Sequence, residues 1–351
     1  MSARLAIPTV DVHAAGEPGR VLIASHLLAK GGTMAAKLQY ARENLDWLRR
    51  LVLTEPRGYP ACCAVLITAP CDPGADFGMI VLEQGGFRPM SGSNTMCAVT
   101  ALLETGMLPI TQGRQRVVLD TAVGLVETTA TISDGKVTEV TIRNVPSFVE
   151  VLDHELKVPH LGTIDVDVVF GGQFFVQARA ADAGVELEPA AGKEIARAGA
   201  LIRAAAREQI PVQHPELPDI HSIDLVMLHG PSRSGASARN AVVCCNGTVD
   251  FSNPATWTGS LDRSPCGTGT CGRMAAKYAR GELALDEPFV HEGILGTRFT
   301  GRLVETLNNG SRPAVRPVIS GVAWVTGMGR LFLDETDPFP QGYTLPDLWS
   351  A

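Results

Sequence analysis

One short stretch occurs twice in the chain and constrains the fold more than any other feature. The first copy reads Arg88-Pro89-Met90-Ser91-Gly92-Ser93-Asn94-Thr95-Met96-Cys97, and the second Arg263-Ser264-Pro265-Cys266-Gly267-Thr268-Gly269-Thr270-Cys271-Gly272. They align without a gap, Arg88 on Arg263, Ser91 on Cys266, Gly92 on Gly267 and Thr95 on Thr270. The same spacing of 175 residues (88 to 263, 106 to 281) still places Gly106 on Gly281 and Leu108 on Leu283. A register held that long marks an internal repeat, so the chain reads as two related half-domains, each built round one turn and one helix.

Each copy runs from a small-residue turn into a helical segment. Ala98, Val99, Ala101, Leu102 and Leu103 follow the first turn, and Met274, Ala275, Ala276, Tyr278 and Ala279 the second; Gly106 and Gly281 supply the stops. Segments apolar on most sides belong inside their domains. A helix start carries free N–H groups and a partial positive charge, and glycines let an anion approach the backbone. Ser91 and Cys266 stand at the two helix mouths. The pattern suits a small carboxylate held between two domains, with a hydroxyl on one side and a thiol on the other. A helix start also lowers a thiol pKa, so Cys266 is the reactive cysteine expected here. Asp262 lies four residues earlier, where it can accept from a bound ammonium or serve as a plain turn residue. Glycine amides at Gly92 and Gly267 can take a carboxylate. A ligand with both groups is an amino acid.

Other chemistries are excluded or weak. A net charge of −7 and the lack of a Lys/Arg run argue against a nucleic-acid surface. Aromatics make up only 5%, too few for base-stacking platforms. No stretch has the length of a membrane span, and the N-terminus has no signal-like apolar run, so a cytoplasmic protein is expected. The eight cysteines form no C-x-x-C, the histidines show no metal-ligand spacing, and most cysteines read as small buried hydrophobes. Gly267-x-Gly269-x-x-Gly272 matches a dinucleotide fingerprint formally, but residues 258–263 before it are not a buried strand. His229, at a strand end, is a further candidate to face the site.

Along the chain, residues 5–12 read as a strand, and Asn44 as the cap of a helix through Val52. Ala64–Ile67 and Met79–Leu82 read as core strands, and Asp134-Gly135 as a hairpin turn. Val168–Phe170 reads as a strand continued by Gln173–Val176. Residues 192–209 form the clearest amphipathic helix. Strands follow at Leu225–Leu228 and Ala241–Cys245, with a turn at Asn246-Gly247, and the last at 297–303 and 318–325. This is mixed α/β without regular βαβ alternation.

The motifs resemble the proline racemase superfamily over nearly the full length. Asp262-Arg263-Ser264-Pro265-Cys266-Gly267-Thr268-Gly269-Thr270 is the most specific of them. Asp11-x-His13-x-x-Gly16-Glu17-Pro18, Gly171-Gly172-x-Phe174-Phe175, Ile319-Ser320-Gly321-x-Ala323-Trp324 and Asp337-Pro338-Phe339-Pro340 also fit. The resemblance implies two pseudo-symmetric α/β domains, each a curved, mostly antiparallel sheet or barrel around a central helix, as in diaminopimelate epimerase. It implies a first half of 1–146 plus about 318–351, a second of 147–317, and the active site in the cleft between them. It further implies Ser91 and Cys266 as catalytic residues, and Gly92, Ser93, Asp262, Gly267 and Thr268 as substrate-binding ones. No cofactor or metal is expected, nor a nucleic-acid or membrane partner; there is room for a homodimer.

The first motif departs from the family. Racemases and epimerases usually carry Cys-Gly-His where this chain has Ser91-Gly92-Ser93, and a dehydratase branch keeps the first cysteine and replaces the second. The Ser/Cys order resembles a third branch, open to dehydration and to epimerisation. In trans-3-hydroxy-L-proline the leaving hydroxyl and the α-hydrogen share a ring face, so one acid/base suffices, whereas epimerisation needs both faces and a serine is a poor base unaided. The leading expectation is therefore dehydration of trans-3-hydroxy-L-proline to pyrroline-2-carboxylate. The alternative is a 4-hydroxyproline 2-epimerase, alone or in the same protein, ahead of a proline racemase or a non-catalytic imino-acid binder. Which of Ser91 and Cys266 takes the proton stays open.

Overall fold

The computed structural model describes residues 5–23, 28–244, 247–345 and 349. The chain divides into two compact units, Met1–Ile142 with Gly321–Trp349, and Arg143–Ser320. In the first, β1 (Leu5–Ala14) pairs antiparallel with β2 (Glu17–Leu22). Two helices, α1 (Met34–Asn44) and α2 (Asp46–Leu53), then cross to β3 (Ala64–Thr68), parallel to β2. β4 (Phe77–Glu83) runs antiparallel to β3 and carries the short β5 (Gly86–Arg88) on its edge. Helix α3 (Gly92–Glu104) follows. β6 (Gly113–Thr121) returns parallel to β4, and β7 (Gly124–Ser133) runs antiparallel to β6. The turn into β8 (Lys136–Arg143) has Asp134 and Gly135 at φ 53° and 74°, the double-positive geometry of a type I′ hairpin turn.

The second unit repeats the plan. β9 (Phe148–Val158), β10 (Gly162–Phe170) and β11 (Phe174–Arg179) are antiparallel in succession. Helix α4 (Gly192–Gln209) crosses to β12 (Ile223–Gly230), parallel to β11, and β13 (Ala238–Cys244) pairs antiparallel with β12. The short β14 (Ser260–Leu261) sits on β13 before helix α5 (Gly267–Ala279). β15 (Phe289–Glu292) is parallel to β13, followed by antiparallel β16 (Arg298–Asn309) and β17 (Arg312–Gly321). β18 (Ala323–Leu333) belongs to the first unit, antiparallel to β1.

The parallel step β2–β3, the antiparallel step β3–β4 and the parallel step β4–β6 thus recur as β11–β12, β12–β13 and β13–β15. Gly92–Glu104 and Gly267–Ala279 are the same window 175 residues apart, so the sequence repeat is a structural one. Helix α3 packs on β1, β2, β3 and β18, and α5 on β9, β10, β11 and β16. Every residue of α3 from Gly92 to Leu103 is buried, as a central helix without a polar face requires. Gly19 on β2 allows that fit: a Cβ there would meet Cys97 Sγ at 2.8 Å.

Several local expectations are corrected. Asn44 is the last residue of α1 and not a cap; its side-chain amide donates to the Tyr40 carbonyl, and Leu45 stands at the start of α2. Residues 168–176 are not one strand: the chain reverses at Gly171-Gly172, with Gly172 at φ 118°, and β10 and β11 form a hairpin. The 318–325 segment is two strands broken at Val322, one in each unit. Behind Pro146, residues 148–158 form a strand paired with β10, which the sequence pattern did not single out. Helix 192–209 is found with those bounds. Cys245 and Asn246 lie outside the described residues. Among the described residues no helix is long and apolar enough to cross a membrane, and no group of His, Cys, Asp and Glu could hold a metal.

Candidate active site

In the second unit, Asp262, Cys266, Gly267 and Thr268 come together at the start of α5. Asp262 is anchored by its N–H on the Val242 carbonyl of β13, and its Oδ1 accepts from Ser264 N–H at 2.7 Å and Ser264 Oγ at 2.8 Å. Ser264 Oγ in turn accepts the Cys266 N–H at 3.0 Å. A buried carboxylate thus organises the turn that carries the thiol. Cys266 is the residue capping α5 and has φ 62° and ψ 114°. That is a region L-residues avoid, held at about 1–3 kcal/mol of strain. Its Sγ lies 4.0 Å from Thr268 Oγ1.

The thiol is not the low-pKa group expected from its place at a helix start. Burial pushes it well above the ordinary range, and the Asp262 carboxylate pushes it further; the Gly269 N–H and the Thr268 hydroxyl pull the other way. Desolvation outweighs the helix start. The other buried thiols behave as packing residues: burial raises Cys62 to about 11 and Cys271 to about 12.

In the first unit, Ser91, Gly92 and Ser93 form the matching start of α3. Ser91 caps the helix with an ordinary extended backbone, φ −150° and ψ 130°. Its Oγ lies 3.4 Å from Ser93 Oγ and accepts from Asn94 Nδ2 at 3.1 Å. Among the described residues it has no imidazole, carboxylate or amine partner. The side-chain neighbours of the Ser91 hydroxyl are thus the Ser93 hydroxyl and the Asn94 amide.

The two mouths differ beyond serine and thiol. Thr95 Oγ1 donates to the Ser91 carbonyl at 2.8 Å, with Met79 Sδ 4.0 Å away. Its counterpart Thr270 Oγ1 bonds the Pro265 carbonyl at 3.1 Å and His291 Nδ1 at 2.8 Å, and Asn240 Nδ2 donates to the same carbonyl at 2.9 Å. With the Thr270 proton on Pro265, the proton between Thr270 and His291 belongs to Nδ1. Burial and the Arg273 charge hold this imidazole neutral, and its Nε2 is buried without a partner.

His229 does not join the thiol. It lines a cavity of about 490 Å³ with Arg239, Arg273 and Lys277, a lining that includes neither Cys266 nor Asp262. Burial, with Arg273 next in effect, lowers its pKa to about 3. Asp11 of the N-terminal motif pairs with Arg20 at 2.7 Å, and His13 stacks on Trp324 at 5.1 Å. Sequence reading missed Asn94, Asn240, Ser264 and His291. Ser264 and Asn94 sit inside the repeated motif and were within reach; Asn240 and His291 come from distant strands.

A family model described as proline racemase matches residues 9–344. A proline racemase of Clostridioides difficile is 37% identical over 340 residues, 97% of this chain and 98% of that protein. A 4-hydroxyproline 2-epimerase of Streptosporangium roseum is 39% identical over 345 residues, 98% of this chain and 100% of that protein. A crystal structure of a hydroxyproline epimerase from Agrobacterium vitis, with trans-4-hydroxy-L-proline bound, matches with a TM-score of 0.91 at 33% identity over 99% of this chain and 97% of that one. A PhzF-family phenazine biosynthesis protein of Bacillus anthracis shares the fold alone, with a TM-score of 0.56 at 12% identity.

Proposed function

The chain belongs to the proline racemase family, and on that premise we propose that it epimerises the α-carbon of a hydroxylated imino acid, 4-hydroxyproline, with Cys266 and Ser91 as the proton-transferring pair. This reverses the order expected from the sequence, which put dehydration first. The observation that carries it is the duplication: two helices of one origin, each capped by a side chain that can carry a proton, as inversion through both faces demands. Three of the named relatives, a proline racemase and two hydroxyproline epimerases, support the same choice.

In this reading the substrate carboxylate takes the backbone N–H groups at Gly92, Ser93, Gly267 and Thr268, where helix starts favour an anion. The ring ammonium pairs with Asp262. That pairing offsets the Asp262 carboxylate's push on the neighbouring thiol, second after burial among the causes of its raised pKa, and so favours the thiolate. The thiolate takes the α-proton from one face. Ser91 returns a proton from the other, and Asn94 stabilises its oxygen. Turnover leaves a Cys266 thiol and a Ser91 alkoxide; the thiol gives its proton to solvent and the alkoxide takes one back before the next forward cycle, while the reverse reaction starts from that alkoxide.

One observation favours a second reading. Ser91 has no base among its partners, so only the Cys266 face carries a group suited to proton removal. Dehydration of trans-3-hydroxy-L-proline through that face needs nothing more: the α-proton goes to the thiolate, the 3-hydroxyl leaves as water with a proton from the thiol, and the enamine tautomerises to pyrroline-2-carboxylate. The test is incubation in D₂O with each substrate. Inversion of trans-4-hydroxy-L-proline with deuterium at the α-carbon supports epimerisation. Pyrroline formation from the 3-hydroxy isomer, with the 4-hydroxy isomer left uninverted, replaces it with dehydration.

A further inference from the structure

The two mouths come from one repeat, yet their backbones point differently, Ser91 at φ −150° and Cys266 at φ 62°. Strand pairing identifies what changed. Phe77 and Gly78 of β4 pair with Leu119 and Asp120 of β6; Ala238 and Arg239 of β13 pair with His291 and Glu292 of β15. In that register Asn240 stands where the first unit has Met79, and His291 where it has Leu119. Two apolar positions of one unit are polar in the other.

Both polar residues act on one peptide group. The Pro265 carbonyl receives Asn240 Nδ2 and Thr270 Oγ1, and Thr270 is fixed in turn by His291 Nδ1. The other end of that peptide, Cys266 N–H, is held by Ser264 Oγ. In the first unit Met79 offers no donor, and the Thr95 hydroxyl donates to the Ser91 carbonyl at 2.8 Å. A disfavoured backbone persists only where its surroundings over-determine it. Here three side-chain contacts on one buried peptide do so. Asn240 is fully buried, with its Oδ1 unpartnered, a cost that Met79 at the matching position does not carry.

We propose that Asn240, acting with Thr270 and His291, is the positioning residue that turns the Pro265–Cys266 peptide and aims the thiol across the start of α5. The proposal deepens the reading of Cys266 as acid/base and rests on it for its kinetic consequence, but the aiming itself is measured without any substrate.

The experiment uses Asn240→Ala and Thr270→Val, each of which removes one donor to Pro265. Iodoacetamide labelling of the Cys266 peptide, followed by mass spectrometry from pH 7 to 10, reads the thiol directly. Each variant should stay folded and shift the labelling rate at pH 8 by about fivefold or more. With 4-hydroxyproline, kcat should fall about tenfold with KM within about twofold, because misplacement by a fraction of an ångström acts on the chemical step. Folded variants whose Cys266 labels as in the wild type overturn the proposal. Failure of both to fold overturns it as well, since the contacts would then hold up the domain and not aim the thiol. Altered labelling with unchanged turnover leaves the aiming intact and refutes the reading of Cys266 as the acid/base.

Discussion

Replacing Gly269 by alanine separates stability from chemistry. Gly269 lies one turn into α5, and a Cβ there would sit 2.6 Å from Met227 Cε, 3.0 Å from Cys266 Sγ and 3.2 Å from Phe175 Cε1. Ordinary heavy-atom contact needs about 3.5–4.0 Å. The Met227 methyl ends a flexible chain and moves cheaply. Phe175 is fully buried, so the thiol must give by roughly 0.5–1 Å. Alanine recovers about 1 kcal/mol of helix propensity, and overpacking costs about 1–3 kcal/mol. The net loss is about 0–2 kcal/mol, or a few degrees in Tm. A displacement of about 1 Å at a reacting atom costs about 100-fold in rate. The assay pairs a thermal melt with deuterium wash-in at the α-carbon of 4-hydroxyproline followed by NMR. A melt within about 5 °C of wild type and turnover down by one to two orders of magnitude is the expected outcome. Turnover within about twofold of wild type in a folded variant would refute the claim that the thiol's position limits the reaction.

Other outcomes follow from the same contacts. Cys266→Ser leaves hydroxyls at both mouths and should cost at least about 10³-fold in kcat with the fold retained, as read by circular dichroism and α-proton exchange. Asp262→Asn keeps a side-chain oxygen for the Ser264 turn but removes the charge: KM should rise about tenfold or more, and the pH at which Cys266 becomes alkylatable should fall, because the carboxylate raises the thiol. Ser91→Cys should raise inversion relative to pyrroline formation, while undiminished inversion in Ser91→Ala would remove Ser91 from the mechanism. Acid sensitivity is set partly by His229 and His291, whose folded-state pKa values lie below the unfolded value of about 6.5. The unfolded chain binds more protons below that value, so for His229 stability falls as pH drops from about 6.5 towards 3, by up to about 1.4 kcal/mol per pH unit, and His291 acts in the same direction. His229→Gln should flatten that loss in urea melts at pH 4 and 5; an unchanged slope would assign it to other groups.

The repeat, α4 and the start of each central helix were legible because their signals are local: a constant spacing, an apolar stripe, glycines at a turn. The hairpin at Gly171-Gly172 was missed because two apolar runs with a short interruption look like one buried strand until pairing is known. Helix α1 was missed because only Met34, Lys37, Leu38 and Ala41 are buried on it, too narrow a stripe to stand out. At the site, Ser91, Cys266 and Asp262 were readable from the motif, but the thiol's pKa was not. A helix start is visible in the sequence, whereas desolvation depends on everything packed around it. Asn240 and His291 were invisible for a related reason: a lone polar residue in a strand acquires meaning only when the peptide it touches, 25 residues away for Asn240, is in place.

The pairing of β18 with β1 has a consequence for synthesis. The register joins Leu5 to Leu333 and Ala14 to Ala323, so the first unit's sheet is completed by a segment that is made only after the whole of the second unit. In the second unit, Arg143–Ser320, the strands on which α5 packs, β9, β10, β11 and β16, lie within that unit and are made sooner. Order of translation and order of completion are therefore inverted. Until β18 is made, β1 is paired on its β2 side alone and the flank of α3 that β18 covers stays open, the kind of transiently exposed surface and strand edge that favours aggregation.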